Sequence, residues 1–327
     1  EDYDSKSQHH NVRQLTTANS ALLHNSVYAL TEGGHGMVWI GTDGNGINYY
    51  NPHTRKIEVL DIFPPHFWAA HALMEVPLQG TGASKESDLF VCTGSNGVFR
   101  IHLVWKDGRP HGTGYEQLLY DKDHPARSQF ISIARQDSVL WMANREQGIR
   151  GYNLNTGRSS LVRLSRSHLS AQNDPIVVLS DTVHRRMICG MSRGLFTFPF
   201  APPRLLAHNI GTSLNLSDAT VRGLAMEGDR LWAATTQGLA CFDVRTGESN
   251  IFSTRDELKV LEFGEGAAYY DPRNGEKYFG GTNGFEPVAR RSLPYSIFSP
   301  DSSATCLVLL STKTARFPSR VSTLFAL

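Results

Sequence analysis

Apolar residues fall along this chain in short runs broken by polar, glycine-bearing turns, and no stretch carries the periodicity of an amphipathic helix. One unit recurs: an apolar strand, a short turn, a second strand usually ending in a small residue, a Gly-containing turn and a third strand. In its first copy, Ser26 to Leu60, a fourth strand follows a second turn. The clearest landmark is the second strand with the turn after it. It reads VWIGTDGNG, LFVCTGSNG, LWMANREQG, MICGMSRG, LWAATTQG and KYFGGTNG. The closing glycines Gly46, Gly97, Gly148, Gly194, Gly238 and Gly284 stand 51, 51, 46, 44 and 46 residues apart. A four-stranded propeller blade repeats about every 40 to 50 residues. Six copies therefore predict an all-β fold, a β-propeller of about six four-stranded blades, alone or as part of a seven-bladed or double propeller.

The pattern predicts local detail as well. Each closing Gly ends a hairpin turn and calls for positive φ, which only Gly adopts without strain. The bulky residues at the centre of the second strands (Trp39, Phe90, Trp141, Ile188, Trp232 and Tyr278) are expected to pack against neighbouring blades. The turns NPHTRK, NLNTGR and DVRTGE have the Asn/Asp start of ordinary β-turn chemistry.

Composition narrows the function classes. Lys and Arg total 32 against 31 Asp and Glu, a formal net charge of +1, which argues against a nucleic-acid binder or a binder of anionic membranes. No wholly aliphatic run is longer than Leu307 to Leu310, which is too short to cross a bilayer, so membrane attachment is expected only through segments outside this chain. Cys92, Cys189, Cys241 and Cys306 are widely separated, without zinc spacing, and read as free thiols in strands. The chain begins at Glu1 without an initiator Met and reads as an excerpt of a longer protein.

At Leu15 to Pro52, LTTANSALLHNSVYALTEGGHGMVWIGTDGNGINYYNP, the sequence resembles the two-component regulator propeller repeat, common in the periplasmic sensor of Bacteroidetes hybrid two-component histidine kinases. Glu262 to Val288, EFGEGAAYYDPRNGEKYFGGTNGFEPV, resembles the last blade of such sensors, ahead of an immunoglobulin-like domain and a membrane helix. The resemblance covers roughly residues 12–288 and is weaker in the middle copies, around Cys189 especially. It implies a periplasmic, ligand-sensing propeller, homodimeric in the full receptor, that detects a glycan-derived oligosaccharide and regulates carbohydrate-use genes. Such sensors carry about fourteen blades in two propellers, so this chain reads as part of the second or as a shortened relative.

The expected organisation is an N-terminal extension over 1–11, the propeller over 12–288, and an irregular, truncated tail over 289–327. The last copy lacks its outer strand. NVRQLT (Asn11 to Thr16) is expected to complete it beside FEPV and so close six blades.

Binding residues are expected on the face where the second-to-third turns meet the loops leading into each first strand, because loops on a rigid scaffold vary freely. The candidates are Phe67, Trp68, Arg127, Arg145, Glu146, Arg193, Arg222, Gln237 and Asn283. Asp43, Asn45, Ser95, Asn96, Gln147, His24, Asn25, Gln129, Asn173, Asp174 and Asp218 stand in the wider set. Amides and guanidinium groups with an aromatic platform suit a sugar or another small polar ligand. Phe67-Trp68 reads equally as an inter-blade plug.

Enzyme signatures are missing: no HExxH, GxSxG, P-loop or EF-hand spacing occurs. His66 and His71 are five apart, wrong for one strand face, so neither a metal nor another cofactor is expected. Two other functions remain in view: a protein-interaction scaffold, and a propeller lyase or glycosidase drawing Glu146, Asp174 and Asp218 together.

Overall fold

The computed structural model describes residues 2–3, 10–11, 14–44, 46–62, 69–78, 85–164, 174–200, 206–211, 216–256, 258, 260, 262–272, 275–282, 284–288, 307–312 and 323–326. The chain folds as two compact units, residues 1–130 with 304–327, and residues 131–303.

In the first unit, β1 (Asp2–Tyr3) and β2 (His10–Asn11) precede two blades. The first blade is β3 (Val27–Glu32), β4 (Val38–Thr42), β5 (Ile47–Asn51) and β6 (Lys56–Val59). The second is β7 (Ala70–Pro77), β8 (Glu86–Thr93), β9 (Val98–Lys106) and β10 (Arg109–Leu118). Each is an antiparallel meander in sequence order.

The second unit holds four more blades. They are β11 (Phe130–Gln136) to β14 (Ser159–Leu164) through β12 (Val139–Asn144) and β13 (Gly148–Asn153), and β15 (Pro175–Asp181) to β18 (Leu206–Asn209) through β16 (Arg186–Met191) and β17 (Leu195–Pro199). The next are β19 (Val221–Glu227), β20 (Arg230–Thr235), β21 (Gly238–Asp243) and β22 (Ser249–Phe252), then β23 (Phe263–Asp271), β24 (Glu276–Gly281) and β25 (Gly284–Val288). These are the blades of an all-β propeller. A short parallel pairing of Arg163–Leu164 with Leu206–Ala207 joins the outer strands of two blades into one eight-stranded sheet.

Burial explains the repeat. Every described residue of β4 is buried, and β8, β16 and β24 are buried but for their first residue. A strand covered on both faces reads as a continuous apolar run rather than an alternating one. The cores lie between blades, as the pattern predicts: Trp39 meets Trp105 of the second blade edge-on at 6.4 Å, and Trp141 meets Phe198 at 5.0 Å. Ile188 packs with Val221 and Leu224, and Trp232 with Phe263 and Phe279. The small residue ending the second strand also has a cause. A Cβ on Gly41 would stand 2.4 Å from Ala70 O, and one on Gly190 would stand 2.6 Å from Val221 Cγ1. Blades approach too closely there for any side chain.

Gly46, Gly97, Gly148, Gly194 and Gly238 all have positive φ, as the turns demand. The second-turn chemistry holds too. Asn51 Oδ1 accepts from His53 N at 3.0 Å, Asn153 Oδ1 from Asn155 N at 3.0 Å and Asp243 Oδ1 from Thr246 N at 2.9 Å.

The termini differ from expectation. β23, β24 and β25 form a three-stranded sheet among the described residues. Asn11 pairs with Asp2 instead, and Gln14 to Thr16 lie in no strand, while Val12 and Arg13 fall outside the described residues. The outer strand expected from 11–16 is therefore not formed by those described residues; two-residue pairing near the N-terminus takes Asn11 elsewhere. Within 289–327 the described residues are β26 (Leu307–Thr312) and β27 (Thr323–Ala326), paired antiparallel, with β26 also parallel to β1.

Candidate functional site

In the second unit the turns after the second strands and the loops leading into the first strands share one end of the blades. Ser192 N donates to Asp174 O at 2.8 Å, Thr220 Oγ1 to Ser192 O at 2.9 Å, Thr236 N to Thr220 O at 3.1 Å, and Thr282 N to Glu262 O at 3.0 Å. The Thr220 bond runs from one blade to the next. This ladder holds the loops in register, and the Ser192, Thr220 and Thr236 hydroxyls take part in it.

Arg145 is the centre of the charged side chains here. It stands on the turn after β12, which Asn144 shapes by accepting from Glu146 N at 3.0 Å and Gln147 N at 2.7 Å. Its guanidinium donates to the carboxylate of Glu265 in β23, a residue 120 positions away. Arg222, in β19, donates through Nη1 to Phe263 O at 2.9 Å. Two guanidinium groups from different blades thus reach the first three residues of β23. Arg145 Nε and Arg222 Nε are enclosed and meet no acceptor among the described residues. An enclosed N–H donor without an acceptor carries a desolvation cost that a ligand oxygen or water would relieve.

Asp174 belongs to the same cluster. Partial burial pushes its carboxyl above the usual range, the charge of Glu146 adds to this, and Arg145 pulls it part of the way back. The end of the blades therefore offers donors from Arg145 and Arg222 and acceptors from Glu146, Asp174 and Glu265. That combination fits hydroxyl groups, which donate and accept at once.

Among the predicted residues, Arg145, Glu146 and Arg222 take part in this cluster. Arg193 and Gln237 are exposed on the turns after β16 and β20 at the same end, Gln237 with its N–H on Thr235 Oγ1 at 3.1 Å. Arg127 lies in the other unit, exposed on a single turn of 3₁₀ helix, Pro125–Ser128. Phe67, Trp68 and Asn283 lie outside the described residues, as do Asn45 and Asn173. Glu265 was not among the predicted residues. Its one signal is position, an acidic residue between two glycines (GEG) where a first strand begins.

Cysteine chemistry is suppressed. Cys92 and Cys189 are buried free thiols pushed well above the usual range, and burial raises Cys241 to about 11. Among the described residues no group of three or more His, Cys, Asp or Glu is placed to hold a metal ion.

Residues 21–44 match the family described as Two component regulator propeller. No curated protein matches the chain. In fold it is similar to the extracellular domain of one hybrid two component system from B. thetaiotaomicron, with TM-score 0.62 and 14% identity over 89% of this chain and 37% of that one. A second such extracellular domain from B. thetaiotaomicron gives TM-score 0.60 and 17% identity over 86% of this chain and 35% of that one. The chain thus spans little more than a third of the length of these ectodomains.

Proposed function

We propose that this chain is the ligand-sensing propeller part of a periplasmic sensor in a hybrid two-component system, and that the Arg145 end of its blades binds a glycan-derived oligosaccharide. The observation that carries this reading is the convergence of Arg145 and Arg222 on the start of β23, where each keeps an enclosed Nε–H without an acceptor among the described residues. The regulator-propeller match at 21–44 and the fold likeness to sensor ectodomains support the sensing role. Near-neutral net charge suits a neutral ligand. Signalling would follow if one arrangement of a sensor homodimer bound the oligosaccharide better than another, since only differential affinity shifts a population.

Calorimetry of the chain against a panel of glycan oligosaccharides tests the reading, with Arg145→Ala and Trp68→Ala as controls. Binding of one oligosaccharide, weakened at least tenfold by Arg145→Ala, is the expected result; no binding across the panel overturns it.

One observation favours a second reading. The Asp174 carboxyl, raised beside Glu146, is the kind of carboxylate pair that serves acid–base glycoside chemistry. Release of reducing ends from a bound oligosaccharide, lost in Asp174→Asn, would place the chain among propeller glycosidases.

A further inference from the structure

The first strands of several blades share an irregularity just inside their start. In β3, β7, β15 and β19 a single residue is looped out of the ladder: Tyr28, His71, Ile176 and Arg222. Bulges of this kind re-aim a side chain and interrupt pairing locally. β23 departs from the pattern. Phe263 pairs with Gly281 and Ala268 with Phe279, so Gly264–Ala267 stand opposite Gly280 alone. This longer bulge reads GEGA, with Glu265 between two glycines.

The ends of the bulge are anchored and its middle is not. Phe263 is buried and meets Phe279 edge-on at 6.3 Å, and its carbonyl accepts from Arg222 Nη1 at 2.9 Å. Ala268 lies against the neighbouring blade, where a Cβ on Gly223 would stand 3.0 Å from Ala268 Cβ. Between these anchors Glu265 and Gly266 are exposed. Gly266 has φ 73, and a Cβ there would meet nothing within 4 Å, so no neighbour crowds the bulge at that point.

The middle is tied down by the ion pair of Glu265 with Arg145, on the turn after β12. With side chains 36% and 40% exposed, such a pair biases an equilibrium by about fivefold or less. Yet the carboxylate takes an N–H of Arg145 that an incoming hydroxyl oxygen would need.

We infer that Gly264–Ala267 is a gate at the Arg145 end of the blades, with Glu265 a built-in competitor that a sugar hydroxyl displaces from the guanidinium on binding. The gate moves about its glycines while Phe263 and Ala268 stay in place. Apparent affinity is then the intrinsic affinity multiplied by the open fraction. Removing Glu265 opens the gate and leaves Glu146 and Asp174 as acceptors. The inference rests on the binding role proposed above.

Phenylglyoxal, which reacts with accessible arginines, tests the gate without any sugar, the rate at each arginine of the full chain being followed by peptide mass spectrometry. Arg145 should react about two- to fivefold faster in Glu265→Ala than in the parent. High salt, which screens the ion pair, should speed the parent more than the variant. Arg222, bonded to a backbone carbonyl, should react at one rate in both and so checks that the fold is intact. An Arg145 rate unchanged by Glu265→Ala overturns the gate, and so does acceleration of Arg145 and Arg222 together. In calorimetry, an oligosaccharide of the glycan panel that binds the parent should bind Glu265→Ala about two- to fivefold tighter. Equal or weaker binding overturns the gate and leaves the sensing reading in place. Silence across the panel overturns the sensing reading, and the phenylglyoxal rates then decide the gate alone.

Discussion

Trp39 Nε1 donates to Glu75 Oε2 at 2.8 Å, tying the centre of one blade's second strand to the first strand of the next. Glu75 also accepts from Gly34 N at 2.8 Å, Ser87 Oγ at 2.6 Å and Trp105 Nε1 at 3.1 Å. The equivalent contact in the second unit lacks its acceptor. Ser180 stands where Glu75 does, one residue past the partner of the central position in register, and Trp141 Nε1 is enclosed with no partner among the described residues. Trp39→Phe and Trp141→Phe remove the same atoms, but only the first removes a hydrogen bond to a charge. Trp39→Phe should cost about 1–2 kcal/mol more than Trp141→Phe. Urea denaturation of both variants measures the difference, and equal losses would show that the Glu75 bond contributes nothing.

The contrast between these tryptophans marks what a sequence can carry. Turn chemistry is local: Gly148 and Gly194 needed only their own φ, and Asn51, Asn153 and Asp243 only N–H groups two and three residues on. Inter-blade packing of Trp39, Trp141 and Trp232 was legible because strands buried on both faces leave unbroken apolar runs. Partnerships across blades were not. Arg145 and Glu265 meet because of how sheets stack over 120 residues, and nothing near either residue encodes that. The Arg163–Leu164 pairing with Leu206–Ala207 is two residues long and leaves no pattern. Charge type at the blade ends was readable at Arg145, Glu146 and Arg222, whereas the convergence of Arg145 and Arg222 on β23 follows only from the fold.

The Arg145–Glu265 ion pair should matter little for stability. The side chains are 36% and 40% exposed, and ion pairs this open to solvent contribute about 0–1 kcal/mol. A double-mutant cycle with Arg145→Ala and Glu265→Ala should give a coupling below about 1 kcal/mol that shrinks further as salt screens it. A larger, salt-independent coupling would make the pair a structural strut rather than part of a binding surface.

Asp174 should impose a defined pH dependence. Its folded carboxyl is raised, first by burial and then by Glu146, so the neutral form is favoured in the native state. The stability this contributes is present below the ordinary carboxylate pKa and is lost as pH rises through the raised folded value. Asp174→Asn should therefore melt higher than the parent at pH 7, with the advantage vanishing as pH falls through the carboxylate range. The Asp174 N bond to Ser192 Oγ is made by backbone and survives the substitution. Melting curves that stay a constant distance apart across pH would sink the assignment.

Two hairpin glycines separate backbone strain from steric exclusion. Gly148 has φ 92, and a Cβ on it would come no nearer than 3.8 Å to Val162 O. Gly148→Ala then costs only the strain of a left-handed conformation, about 1–2 kcal/mol. Gly238 has φ 125, and a Cβ there would lie 2.2 Å from Phe252 O, within the β21–β22 pairing of its own blade. Since backbone rather than a flexible side chain stands in the way, Gly238→Ala must displace β22 as well as strain the turn. It should cost more than roughly 3 kcal/mol. Thermal denaturation ranks the two. If Gly148→Ala proves as damaging as Gly238→Ala, conformational strain alone sets the requirement for glycine after the second strand, and the close approach of β22 has no part in it.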